Sequence, residues 1–168
     1  MKKRICGVIA QHFWELSPLT YPEGGEHPVR ETLLSRLQPL IEEEQVERFL
    51  IAMERGFPFD VTASLLELRD TLGTELECVI PYEDQHIAWP EEVRDCYFNL
   101  IARCDKESMV QGQFTLDCYH KTIKYMLSQC DCFVIIWNGR ASDAGDAVQM
   151  VRRKHLPLML LEPSRLLS

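Results

Sequence analysis

The feature that most constrains the fold is an alternation of short, continuous apolar runs with segments whose apolar residues recur every three or four positions. The runs are "ICGVIA" from Ile5, "VERFLIAM" from Val46, "ELECVIP" from Glu75, "CFVIIWN" from Cys132 and "LPLMLLEP" from Leu156, with a weaker "ESMVQ" from Glu107. A strand with one wet face alternates apolar and polar side chains, whereas a strand buried on both faces does not need to. The pattern therefore predicts an α/β fold: a three-layer, Rossmann-like arrangement of about six mostly parallel strands with helices on both faces. With 168 residues the whole chain, 1–168, is expected to form a single domain.

The intervening segments read as helices. Val29, Leu33, Leu34, Leu37, Leu40 and Ile41 make one stripe, with Pro28 near its start and an acidic far face reaching Gln45. A second helix runs from Asp60 through Leu68, and a third follows Pro90 with Glu91 and Glu92 in its first turn. "LDCYHKTIKYMLSQC" is the fourth, its Tyr119, Tyr125 and Met126 spaced as core residues, and "DAGDAVQMVRRKH" is the fifth. In such a sheet ligands bind beyond the carboxyl ends of the strands, where the strand order reverses. Function is therefore expected in the loops after Ala10, Met53, Pro81 and Asn138.

Eighteen basic against 26 acidic residues give a net charge of -8, which disfavours nucleic acid as a partner of the chain as a whole. No stretch approaches the ~20 apolar residues of a membrane span, and the run after "MKKR" is too short for a signal segment. Seven widely spaced cysteines, several inside apolar runs, read as reduced, buried thiols of a cytoplasmic protein. Cys130 and Cys132 form C-x-C, but Cys132 opens a buried strand, so no metal site is expected. The chain lacks G-x-G-x-x-G, the P-loop, H-E-x-x-H and G-x-S-x-G, which excludes the ordinary nucleotide and hydrolase signatures.

Three stretches carry a resemblance. They are "AMERGFPFDVTASLLELR", "VIPYEDQHIAW" with Pro81, Gln85 and Trp89 in a P-x-x-x-Q-x-x-x-W spacing, and "CYHKTIKYMLSQCDCFVIIWNGRASDAGDAV". In this order, from Met53 to Pro163, the chain resembles the YpsA-like branch of the SLOG superfamily, Rossmann-like domains related to the Smf/DprA and LOG proteins. The resemblance implies a nucleotide-derived small molecule as ligand, with phosphate seated on the glycine turn of the last helix. It implies no further cofactor. LOG relatives cleave the bond between base and ribose phosphate, but no segment here matches their catalytic motif, so no catalytic residue is assigned.

The departures fall on ligand-facing positions. Where the branch has T-G-H-R-P this chain has Ile9, Ala10, Gln11, His12 and Phe13; its R-N pair is Thr122 and Ile123; its G-G-T is Ala144, Gly145 and Asp146. Two glycines and two arginines are thus missing. Asp143 is expected to cap the last helix, and Asp146 adds a second negative charge to its first turn. Two carboxylates within ~5 Å of a phosphate oppose it by about 1 kcal/mol each at a partly solvated site. The turn therefore disfavours phosphate unless Arg140, Lys121 or Lys124 leans in.

The ligand-binding residues expected from the loops and the resemblance are Gln11, His12, Gly56, Asp60, Gln85, Trp89, Gly139, Gly145 and Asp146. Competing structural roles are helix capping for Asp60, close helix-to-strand approach for Gly145, and loop packing for Gln85 and Trp89. His86 and His120 are expected in solvent. Three functions remain open: a binding domain with a divergent or degenerate phosphate site, an N-glycosidic bond hydrolase using Asp60 or Asp146, and a ligand-free interaction subunit. A homodimer is compatible with the exposed helices but is not readable from them.

Overall fold

In the computed structural model, which describes residues 3–11 and 29–166, the six apolar runs become one parallel sheet. Its strands are β1 (Arg4–Ala10), β2 (Val46–Ala52), β3 (Glu75–Ile80), β4 (Lys106–Met109), β5 (Cys132–Ile136) and β6 (Leu158–Leu161), in the order β4-β3-β2-β1-β5-β6. All five pairings are parallel. The helices are α1 (Arg30–Glu42), α2 (Phe57–Leu72), α3 (Glu91–Arg103), α4 (Cys118–Gln129), α5 (Asp143–Arg153) and a short α6 (Pro163–Leu166). No helix among the described residues is long and apolar enough to cross a membrane.

Continuous apolar strands arise because both faces are covered. Cys6, Val8 and Ala10 of β1 point into a core shared with Leu33 of α1, Leu65 of α2 and Tyr97 of α3. Ile9 of the same strand points the other way, with Phe133 and Ile135 of β5, toward Met126 of α4 and Val148 of α5. The three-layer expectation is met, with α1, α2 and α3 on one face and α4 and α5 on the other. Three crossovers carry the chain outward from β1 to β4; α4 then returns it to β5 on the far side of β1, and the change of direction puts α4 and α5 on the opposite face.

Cysteine pairing differs from the expectation of seven free thiols. Cys78 of β3 and Cys104 after α3 are joined as a disulfide, their Cα atoms 6.5 Å apart, and five cysteines are free. The physical reason is non-local. The end of α3 folds back beside β3, bringing together residues 26 positions apart that no spacing motif connects.

Two local features anchor the sheet. Gly7 lies opposite Phe133 in the β1–β5 register, and a Cβ there would sit 2.5 Å from Cε1 of that buried ring. Asp105 receives the Arg69 guanidinium through Nε at 2.9 Å and Nη2 at 3.0 Å, and also accepts from the Leu76 amide at 2.8 Å. It ties the end of α2 to the start of β3. The Arg69 guanidinium first, then the Leu76 amide, hold the Asp105 carboxyl below the usual carboxylate range against the opposing effect of burial.

Gly7→Ala is expected to cost about 1–3 kcal/mol in urea unfolding, because Phe133 is buried and the added methyl overpacks it. Asp105 titrates lower in the folded chain than in the unfolded one, so its contribution is complete above the ordinary carboxylate pKa of about 3.9 and is lost as pH falls from there toward the folded value. Asp105→Asn should therefore be less stable than the parent at pH 7, with the gap closing in acid. A gap that stays constant across the pH series would count against this account.

Candidate functional site

Strand order reverses between β1 and β5, so their carboxyl ends flank a switch point, the usual place for a ligand in an open parallel sheet. Gln11, the residue after β1, ties the two strands there. Its amide donates to the Ile136 carbonyl at 3.1 Å, and its side-chain Oε1 accepts from the Asn138 amide. The side chain is buried, at 1% exposure, and its Nε2 has no hydrogen-bond partner among the described residues.

The turn after β5 is built by local bonds. Asn138 Oδ1 accepts from the Arg140 amide at 2.9 Å, Gly139 takes φ +87°, and Trp137 Nε1 donates to the Arg140 carbonyl at 2.6 Å. A Cβ on Gly145 would lie 3.2 Å from the Trp137 ring and 3.3 Å from the Arg140 carbonyl oxygen, which fits the expected role of Gly145 in close helix-to-strand approach.

The cap of α5 is Ser142, not Asp143. Ser142 is extended, at φ −170° and ψ 174°, and its Oγ accepts from the Gly145 amide at 3.1 Å. Capping needs an extended residue whose oxygen faces an amide two or three positions on. Asp143 is already helical. Asp146 meets His120, whose Nε2 lies 3.2 Å from its Oδ2, so this histidine, expected in solvent, is half exposed yet paired. Lys121 is instead held by Asp117 at 3.6 Å. His120, Asp143 and Asp146 bring ligand atoms within 4.8 Å of one another, and among the described residues they are the group able to hold a metal ion.

Beside this turn a cleft opens between the α4–α5 layer and the ends of β1 and β2. Glu54, Tyr119, Thr122 and Asp143 supply its polar walls, and no basic residue among the described ones lines it. It encloses about 20 Å³, room for a single water. Glu54 is buried, at 7% exposure. Burial, reinforced by Glu54 nearby, raises the Tyr119 phenol well above its ordinary value. Thr122 Oγ1 is engaged by the Cys118 carbonyl at 2.8 Å. Glu54 and Tyr119 were not among the expected site residues. The carboxyl-end rule pointed to Glu54, which directly follows Met53, while Tyr119 was hidden in a stripe that reads as core.

The remaining expected residues are dispersed. Gly56 sits before α2 with φ +87°, and Asp60 lies in the first turn of that helix. Gly56 holds the N-cap position, so Asp60 is not the cap. Gln85 Nε2 donates to the Met53 carbonyl at 3.0 Å and to Tyr97 Oη at 3.1 Å, fastening the loop after β3 to the loop after β2. Burial pushes the Tyr97 phenol up to about 12. Trp89 packs edge-on to Tyr97 at 5.1 Å and to Phe59 at 5.9 Å, with the Arg55 guanidinium 6.0 Å from its ring. Gln85 and Trp89 thus hold the loop. His86, the other histidine expected in solvent, is half-buried and stacks on Tyr97 at 6.0 Å. His12 lies outside the described residues.

A family model described as the YspA SLOG family matches residues 23–156, most of the chain, including the cleft walls from α4 and α5. The first strand, where the resemblance is weaker, falls outside the match. No curated protein matches the chain.

Ser142→Ala is expected to lower stability by about 1 kcal/mol, the usual cost of removing a capping oxygen. Asp143→Ala should cost clearly less, and thermal melting of the two variants side by side checks the assignment.

Proposed function

The chain belongs to the YspA SLOG family, and from that premise we propose that the cleft at the carboxyl ends of β1 and β2, next to the switch point, binds a small nucleotide-derived ligand through its base or sugar. The observation that carries the reading is Gln11, a buried amide at the switch point whose Nε2 has no partner among the described residues. A buried polar group without a partner costs about 1–3 kcal/mol, and a ligand oxygen placed there recovers it. Recognition by terminal phosphate is disfavoured. Ser142 already occupies an amide at the start of α5, and Asp143 and Asp146 stand where the phosphate would sit. The acids suit hydroxyl donors instead.

The narrowness of the cleft favours a second reading, in which the chain acts through its surface and the crevice is a remnant. Any nucleoside needs Tyr119 or the α5 turn to move. An N-glycosidic hydrolase would draw on Glu54 and Asp143, the carboxyls that line the cleft, in place of Asp60 or Asp146.

A thermal-shift titration against adenosine, ribose, AMP, ADP-ribose and inorganic phosphate separates the readings. A ligand at 100 times its dissociation constant adds about 2.7 kcal/mol, a shift of several degrees. The expected result is stabilisation by adenosine or ADP-ribose, with AMP no better than adenosine. Stabilisation by phosphorylated compounds alone overturns the account of the turn, and no shift with any of them leaves the surface reading.

A further inference from the structure

About half of the described basic residues of this acidic chain are neutralised by ion pairs. Arg30 pairs with Glu67, Arg48 with Glu75 and Glu77, Arg69 with Asp105, Arg103 with Asp70, and Lys121 with Asp117. Lys124, Arg152, Arg153 and Lys154 are exposed and make no ion pair among the described residues. Lys124 lies on α4 and the others at the end of α5, so all four belong to the α4–α5 layer, and Lys124, Arg153 and Lys154 flank one groove.

Between these helices runs a groove of about 470 Å³, lined by Lys124, Leu127 and Ser128 from α4 and by Met150, Arg153 and Lys154 from α5. Leu127 and Met150 are half-buried and rest on the core beneath, so the floor is apolar. Its rims are cationic, and none of its described lining residues is acidic. Compensation of the α5 dipole accounts for Arg152 and Arg153 in its last turn. It does not account for Lys124 on the neighbouring helix, nor for the apolar strip between them. A volume within about 300–1,000 Å³ suits a small ligand or an inserted side chain or two, not a long polyanion.

We propose that the α4–α5 groove is a docking site for an acidic segment of a protein partner. The segment lays an apolar side chain over Leu127 and Met150 while its carboxylates meet Lys124, Arg153 and Lys154. Unpaired cations around an apolar floor complement this chemistry, and in a chain of net charge -8 they discriminate against segments without it. The site is separate from the crevice and does not depend on what binds there.

The test is selection of a displayed library of short random peptides on the purified full chain, followed by fluorescence polarisation of the enriched sequences. The enriched peptides are expected to carry Asp or Glu around a central Leu, Ile, Phe or Trp, and their binding to weaken with added salt. Lys124→Glu with Arg153→Glu should lower affinity about tenfold or more, and Met150→Ser should weaken it separately. These positions are exposed or half-buried, so melting temperature reports whether the variants stay folded. The proposal is overturned by the absence of enrichment, by enriched peptides without acidic and apolar bias, or by unchanged affinity in the charge-reversed variant. Tighter binding of single-stranded RNA, with displacement of the peptides, overturns it in favour of a nucleic-acid interface.

Discussion

The structure depends on β1, the strand that must satisfy both cores and both neighbours at once. It pairs with β2 on one edge and β5 on the other, and its side chains alternate between two separate apolar layers. Gly7 is where this becomes most exacting, because Phe133 on β5 fills the space its side chain would take. The crossovers diverge from the same strand. Its carboxyl end is therefore the switch point, and Gln11, the next residue, is the bolt that fixes the spacing between the two halves of the sheet.

The fold was legible because burial on two faces leaves a mark no other strand type leaves. Even the weak "ESMVQ" run marks β4, an edge strand whose residues are mostly exposed. The site was less legible, for reasons that differ by residue. Capping by Ser142 instead of Asp143 turns on one residue of helix phase, which periodicity does not resolve. The roles of Gln85 and Trp89 depend on which loop comes alongside, and the partners turn out to be Met53, Tyr97 and Phe59. Pairing of Cys78 with Cys104 and of His120 with Asp146 is tertiary in the same sense. Tyr119 has the spacing of a core residue, and only its position at the strand ends makes it a wall of the cleft.

The start of α5 shows how a helix N-terminus is made unfavourable to an anion without disturbing the fold. Gly145 allows close packing against Trp137, while Asp143 and Asp146 beside it place two acids in the first turn of the helix. Ser142 satisfies the Gly145 amide internally, and His120 faces one of the two charges. The helix keeps its place on the sheet, and what changes is the field its first turn presents.

The sheet also acts as a partition. Because the side chains of α1, α2 and α3 meet one face and those of α4 and α5 the other, a change of volume in one layer is absorbed within that layer. Substitutions placed in opposite layers, away from β1, share no packing partner, and their effects on stability add. The α4–α5 layer carries the cleft wall, the altered turn and the basic groove together. A substitution on the outer side of that layer changes these surfaces while leaving the packing of α1, α2 and α3 untouched.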